Sequence, residues 1–96
     1  MKFEFNLDDK KINYELDSFW GKEKVWINGN LAKTGFFMIG GKKTLEFMVG
    51  ERLVSILIKQ PLLLALFRNK TFEILVNNKL YKVFDKKGNL LKEFEL

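Results

Sequence analysis

Apolar and polar residues alternate one by one at the start of the chain. Phe3, Phe5 and Leu7 fall on one side of residues 2–7, and Lys2, Glu4 and Asn6 on the other. Successive side chains of a strand point to opposite faces, so this pattern is that of a half-buried β-strand. Residues 11–16 repeat it with Ile12, Tyr14 and Leu16 in phase, and Asp8-Asp9-Lys10 reads as the turn between the two strands. Further along, two stretches say nearly the same thing: Val25-Trp26-Ile27-Asn28-Gly29-Asn30-Leu31 and Ile74-Leu75-Val76-Asn77-Asn78-Lys79-Leu80-Tyr81. Each is an apolar run that enters an Asn-centred tight turn and leaves it apolar. Type I′ hairpin turns need positive φ at both central residues, which Asn and Gly tolerate best.

The remaining strands are read over residues 24–28, 31–39, 44–49, 53–59, 72–76, 79–84 and 90–96, with Gly35 as a bulge in the fourth. Turns are expected at Asn28-Gly29, Gly40-Gly41, Asn77-Asn78 and Lys87-Gly88. Residues 17–24 read as a connection. Residues 60–69 are ambiguous: Pro61 suits the first position of a short helix, yet the Leu-rich run also suits a strand. They are read as an apolar connection with one helical turn. Turn signals every 8–12 residues, without a sustained helical period, predict an all-β fold: an antiparallel β-sandwich or flattened barrel of about eight strands and at most one short helical turn.

Composition keeps this to one domain over residues 1–96, since a chain of this length hides only about 60–65% of its unfolded surface. Ten Phe, two Trp and two Tyr supply large side chains for one core. The absence of Cys and His changes the functional picture more. It removes disulfides, thiol nucleophiles, zinc–thiolate sites and the residue most used for proton transfer near neutrality. The reading is of a protein that is not an enzyme, with no catalytic residues, no cofactor and no metal site. The net charge of +5 is carried largely by lysines at turns, Lys10-Lys11, Lys42-Lys43 and Lys86-Lys87. These need not share a face, so no specific nucleic acid partner is expected. The chain opens on a strand pattern and has no apolar stretch of roughly 20 residues, so a soluble, cytoplasmic protein without a membrane span is expected.

Candidate chemistry is sparse. Residues 35–43 superficially resemble a phosphate loop but lack a Gly at Phe36 and a hydroxyl at Lys43. Residues 33–39 place aromatics as an RNA-recognition strand would, but at the wrong spacing. Glu93 and Glu95 share the solvated face of the last strand, Asp8-Asp9 is a turn pair, and Asn69-Lys70-Thr71 matches a glycosylation acceptor by chance. Trp26 is read as a core residue; Trp20 suits a core and an interface equally. The most informative stretch is residues 53–67, which holds more apolar side chains than one strand can turn inward. This predicts a self-association surface, with Leu62, Leu63, Leu64, Leu66, Phe67 and Trp20 as its interface and a homodimer as the product. The rival is that residues 61–67 fold over the open end of their own sandwich.

Gly21-Lys22, Asn28-Gly29, Val49-Gly50 and the run from Phe72 to Lys79 occur in an order that resembles one repeat of the Fas apoptotic inhibitory molecule family over residues 1–82. The resemblance implies a small β-sandwich acting as a non-enzymatic interaction module, and carries no functional residue across. The functional expectation is therefore a protein-interaction or self-associating β-sandwich module. The alternatives are a small β-barrel that binds nucleic acid or an anionic surface, and one that binds a small molecule.

Overall fold

The alternation resolves into nine antiparallel strands in a computed structural model, which describes residues 1–17, 20–36, 43–59 and 70–96. They are β1 (Lys2–Leu7), β2 (Lys10–Asp17), β3 (Lys22–Ile27), β4 (Asn30–Phe36), β5 (Lys43–Val49), β6 (Arg52–Lys59), β7 (Thr71–Val76), β8 (Lys79–Asp85) and β9 (Leu90–Glu93). The first four form one meander sheet in chain order and the last five form another. The two sheets pack as an unclosed sandwich, which decides against the flattened barrel. No helix among the described residues is long and apolar enough to cross a membrane.

The inward positions are those the alternation picked out. Phe3, Phe5, Leu7, Ile12, Tyr14 and Leu16 from the first sheet meet Leu45, Phe47, Val54, Ile56, Phe72 and Ile74 from the second. Aromatic rings knit the sheets together: Phe3 stacks on Phe84 with centroids 4.1 Å apart, and Tyr14 meets Phe72 at 5.8 Å. β1 therefore lies over β8 and β2 over β7. At the other end of the sandwich β4 approaches β5.

The register shows that the molecule is built twice from one plan. A shift of 42 positions takes the β1–β2 hairpin onto β5–β6, and a shift of 49 takes β3–β4 onto β7–β8. The partners Ile12 and Ile27 thus become Val54 and Val76, and Asp17 and Lys22 become Lys59 and Thr71. The bulge between Val25 and Trp26 recurs between Ile74 and Leu75. Each Asn turn also makes the same clasp. Asn28 accepts from Lys11 N through its Oδ1 (2.9 Å) and donates its own N–H to Lys11 O (2.8 Å). Asn77 does the same with Leu53, at 2.9 and 2.7 Å. Both asparagines sit at positive φ, near 50°, as the hairpin turn requires. Facing pairs exchange under the repeat, since β1 over β8 maps onto β5 over β4, so the halves are related by an approximate twofold axis. Beside that axis Arg52 binds Asp8 at 2.6 Å, while its equivalent Lys10 reaches toward Gly50, the equivalent of Asp8.

Several expectations are corrected. Gly35 pairs regularly with Glu23, and the fourth-strand irregularity lies instead at Ala32, where the register skips. β3 begins at Lys22, within the stretch read as a connection, and the ninth strand ends at Glu93, short of residue 96. Trp26 is not in the core, because Val25 and Ile27 take the inward positions and Trp26 points out with Lys22 and Lys24. The Gly40-Gly41 turn and the connection over 60–69 lie outside the described residues. Gly88 closes the β8–β9 turn at φ +87°, where an added Cβ would stand 2.2 Å from the Lys2 carbonyl oxygen. Only glycine fits that approach.

Candidate functional site

Two features of the first repeat stand apart from their counterparts in the second. One is an open depression of about 520 Å³ on the outer face of the first sheet, lined by Lys2, Glu4, Asn13, Glu15, Trp26 and Gly29 along with Phe3 and Tyr14. Strand pairing places it: Lys2 lies opposite Glu15, Glu4 opposite Asn13, and Asn13 opposite Trp26. The half-buried indole offers a flat apolar wall. Asn13 Oδ1 is buried and accepts no hydrogen bond. Lys11 and Glu4 form an exposed ion pair at 3.3 Å on the same face. At the equivalent positions of the second sheet stand Ser55 for Asn13, Leu57 for Glu15 and Leu75 for Trp26, all at least half-buried. Aliphatic side chains and a hydroxyl thus stand where the first sheet carries a ring, a charge and an amide around its hollow.

The second feature is β4. Apart from half-buried Gly35, every residue of it is exposed, with Leu31 57% and Phe36 61% accessible, and among the described residues no strand pairs with its outer edge. Its repeat-mate β8 is covered by β9, in which Glu93 binds Lys82 and Phe94 N donates to Tyr81 O at 2.8 Å. Lys82 also lies 4.8 Å over the Tyr81 ring. Lys33 occupies the position of Lys82 in the first repeat and is exposed. A local cause for the difference is visible one strand-end later. Asp85 accepts from Lys87 N at 2.8 Å and Asn89 N at 2.9 Å, shaping the turn that brings β9 back. These backbone donors, Asn89 first, hold the Asp85 carboxyl below its ordinary value. The equivalent of Asp85 is Phe36, whose side chain carries no acceptor.

The sequence overlooked one buried polar pair. Tyr14 OH donates to Glu23 Oε1 at 2.8 Å, with Tyr14 1% and Glu23 0% exposed. Burial first, then the Glu23 charge and the hydrogen bond, push the Tyr14 phenol far above its ordinary value. The pair sits between the sheets, at positions filled by Ile56 and Phe72 in the other repeat, where no substrate reaches it. Glu23 shares phase with Val25 and Ile27, which is the signal that would have placed it inward.

Of the predicted interface, Trp20 is described and stands 73% exposed in the turn before β3, its backbone N–H donating to Asp17 Oδ1 at 3.3 Å. Leu62, Leu63, Leu64, Leu66 and Phe67 lie outside the described residues, as does Asn69. The apolar excess in β6 is partly absorbed at home: Val54, Ile56 and Ile58 are buried, while Leu53 and Leu57 are half-buried on the outer face. Among the described residues no cluster of three or more acidic side chains is placed to hold a metal. No protein family, curated protein or solved structure matches this chain.

Proposed function

We propose that this chain is a non-enzymatic protein-interaction module that works through the end of the sandwich formed by β4. The observation that carries the reading is the unequal treatment of equivalent edges: β8 is paired and capped, whereas β4 presents Leu31, Lys33 and Phe36 to solvent on a strand whose outer edge is unpaired among the described residues. Long exposed edges invite strand pairing and are normally blunted. Exposed aromatic and aliphatic side chains beside a cation are the chemistry of interface anchors. The family resemblance implies the same class of function. A photoreactive amino acid at Phe36, compared with one at Glu46 on the outer face of β5, tests it in cells. Adducts from Phe36 that disappear with Leu31→Lys are expected; equal labelling at both sites, or none at Phe36, overturns the proposal.

The depression beside Trp26 favours a second reading, a site for a small ligand with a flat apolar face and a hydrogen-bond donor for Asn13 Oδ1. In a Trp20→Phe background the emission of Trp26 reports such binding. A fragment that shifts this emission in the parent but not in Asn13→Ala supports the reading, and no responsive fragment removes it.

A further inference from the structure

The internal repeat says what kind of segment the β4 edge is shaped to take, because the molecule already shows the equivalent edge filled. On β8, the β9 partners are Glu93 for Lys82, Lys92 for Val83 and Leu90 for Phe84, with a bulge between the last two pairs. Phe94 then extends the pairing through its N–H to Tyr81 O. Shifted by 49 positions, those acceptor-side residues are Lys33, Thr34, Gly35 and Ala32. β4 carries the same lysine beside the same kind of bulge, and the exposed Lys22 across from Phe36 adds to the positive charge.

We propose that β4 receives an extended segment of a partner protein, laid antiparallel in the register of β9 on β8, with an acidic side chain facing Lys33 and an apolar one near Gly35. Main-chain hydrogen bonds give such strand addition its affinity, and side chains on alternate positions give it selectivity. Here the selecting group is the Lys33 ammonium, which among the described residues has no carboxylate in the place of the one that Glu93 supplies to Lys82. Pairing of β4 with β4 of a second copy is disfavoured by the same residue. A twofold centred on Lys33 sets two ammonium groups opposite each other, a destabilising arrangement in an antiparallel pair. The inference rests on the interaction reading above, but it specifies the mode of docking.

The probe is a synthetic peptide of residues 90–96, Leu-Leu-Lys-Glu-Phe-Glu-Leu, which spans β9 and the three residues after it, titrated into the ¹⁵N-labelled protein. The expected result is shifts in β4 amides, with cross-strand contacts from Lys33 and Gly35 to the peptide. Replacing the first Glu of the peptide by Lys should weaken binding by roughly tenfold, the equivalent of 1.4 kcal/mol. Lys33→Glu in the protein should reverse that preference, restoring the Lys peptide over the Glu peptide. Folding of the variant is checked by its β8 and β9 amide shifts. No shifts at millimolar peptide, shifts in β8 instead of β4, or binding indifferent to the Lys33 charge each overturn the proposal. So does sedimentation showing that β4 pairs with itself. If the peptide fails while Phe36 still gives specific adducts, the strand mode is wrong and the interaction reading stands.

Discussion

The two repeats share a register and a clasp, yet they spend their side chains differently. The second repeat is conventional: Ile56 and Phe72 fill its inward positions, Leu57 and Leu75 cover its outer face, and β9 closes its edge. The first carries a buried Tyr14–Glu23 pair inside, a Trp26–Asn13 hollow outside, and a β4 edge that is open among the described residues. Shared plan with divergent chemistry separates what the backbone needs from what it does not. The Asn clasps and bulges recur, so they belong to the architecture; among the described residues the polar pair and the hollow are not repeated at the equivalent positions, and β4 lacks the cover that its counterpart β8 has, so function is best sought there.

That division can be broken at its strongest joint first. Phe3 stacks on Phe84 and Tyr14 and touches Phe72, so it binds one repeat to the other. Phe3→Ala is expected to cost about 3–5 kcal/mol in chemical denaturation, and a loss under 1 kcal/mol would mean that the sheets are held elsewhere.

Next comes the polar pair. Tyr14→Phe leaves the Glu23 carboxyl one donor short in the core and is expected to cost about 1–3 kcal/mol. Tyr14→Phe combined with Glu23→Leu, which imitates the apolar second repeat, should recover most of that loss. The pair also has a pH signature. The folded state raises the Tyr14 phenol, so its stabilisation is complete below the ordinary tyrosine value of about 10 and is lost as the pH climbs above it. Tyr14→Phe should flatten that alkaline loss in denaturation curves, and an unchanged alkaline slope would rule the pair out as its source.

The clasps make the most direct comparison. Glycine keeps the positive φ but removes the Oδ1 acceptor, so Asn28→Gly and Asn77→Gly should each cost about 1 kcal/mol and by similar amounts. A large inequality would show that the repeats agree in geometry only. The smallest effect is expected at Asp85→Asn, which weakens the turn leading to β9. Its carboxyl is lowered in the fold, so its contribution is present above the ordinary carboxylate value of roughly 4 and fades as pH falls through the lowered one. Parent and variant should therefore converge in acid, and hydrogen exchange in β9 should quicken only at higher pH.

The strands were legible because alternation and Asn turns act locally. Phe3, Phe5, Ile12 and Tyr14 announce their face through period two alone, and they are buried as expected. The repeat was half-hidden because its two hairpins carry different offsets, 42 and 49, so no single shift aligns the whole. Trp26 was misplaced because an unbroken Val-Trp-Ile run has no visible phase; the preceding Lys22 and Lys24, which share its face, were the better guide. The open β4 edge could not be read at all, since it is a property of strand order, which no local pattern encodes.

Gly88 has a consequence for the order in which the chain assembles. Each sheet is a meander whose partners are near neighbours in sequence and can close quickly. The contact between the β8–β9 turn and the Lys2 carbonyl, like that from Tyr81 OH to Asn6 O across 75 residues, joins segments far apart in sequence. Such long closures carry the largest entropic cost and are rewarded only after both meanders exist. A ribosome-bound chain would thus hold the aromatic face of β1 uncovered until β7 and β8 emerge, so that closure of the sandwich waits on Phe72 and Phe84.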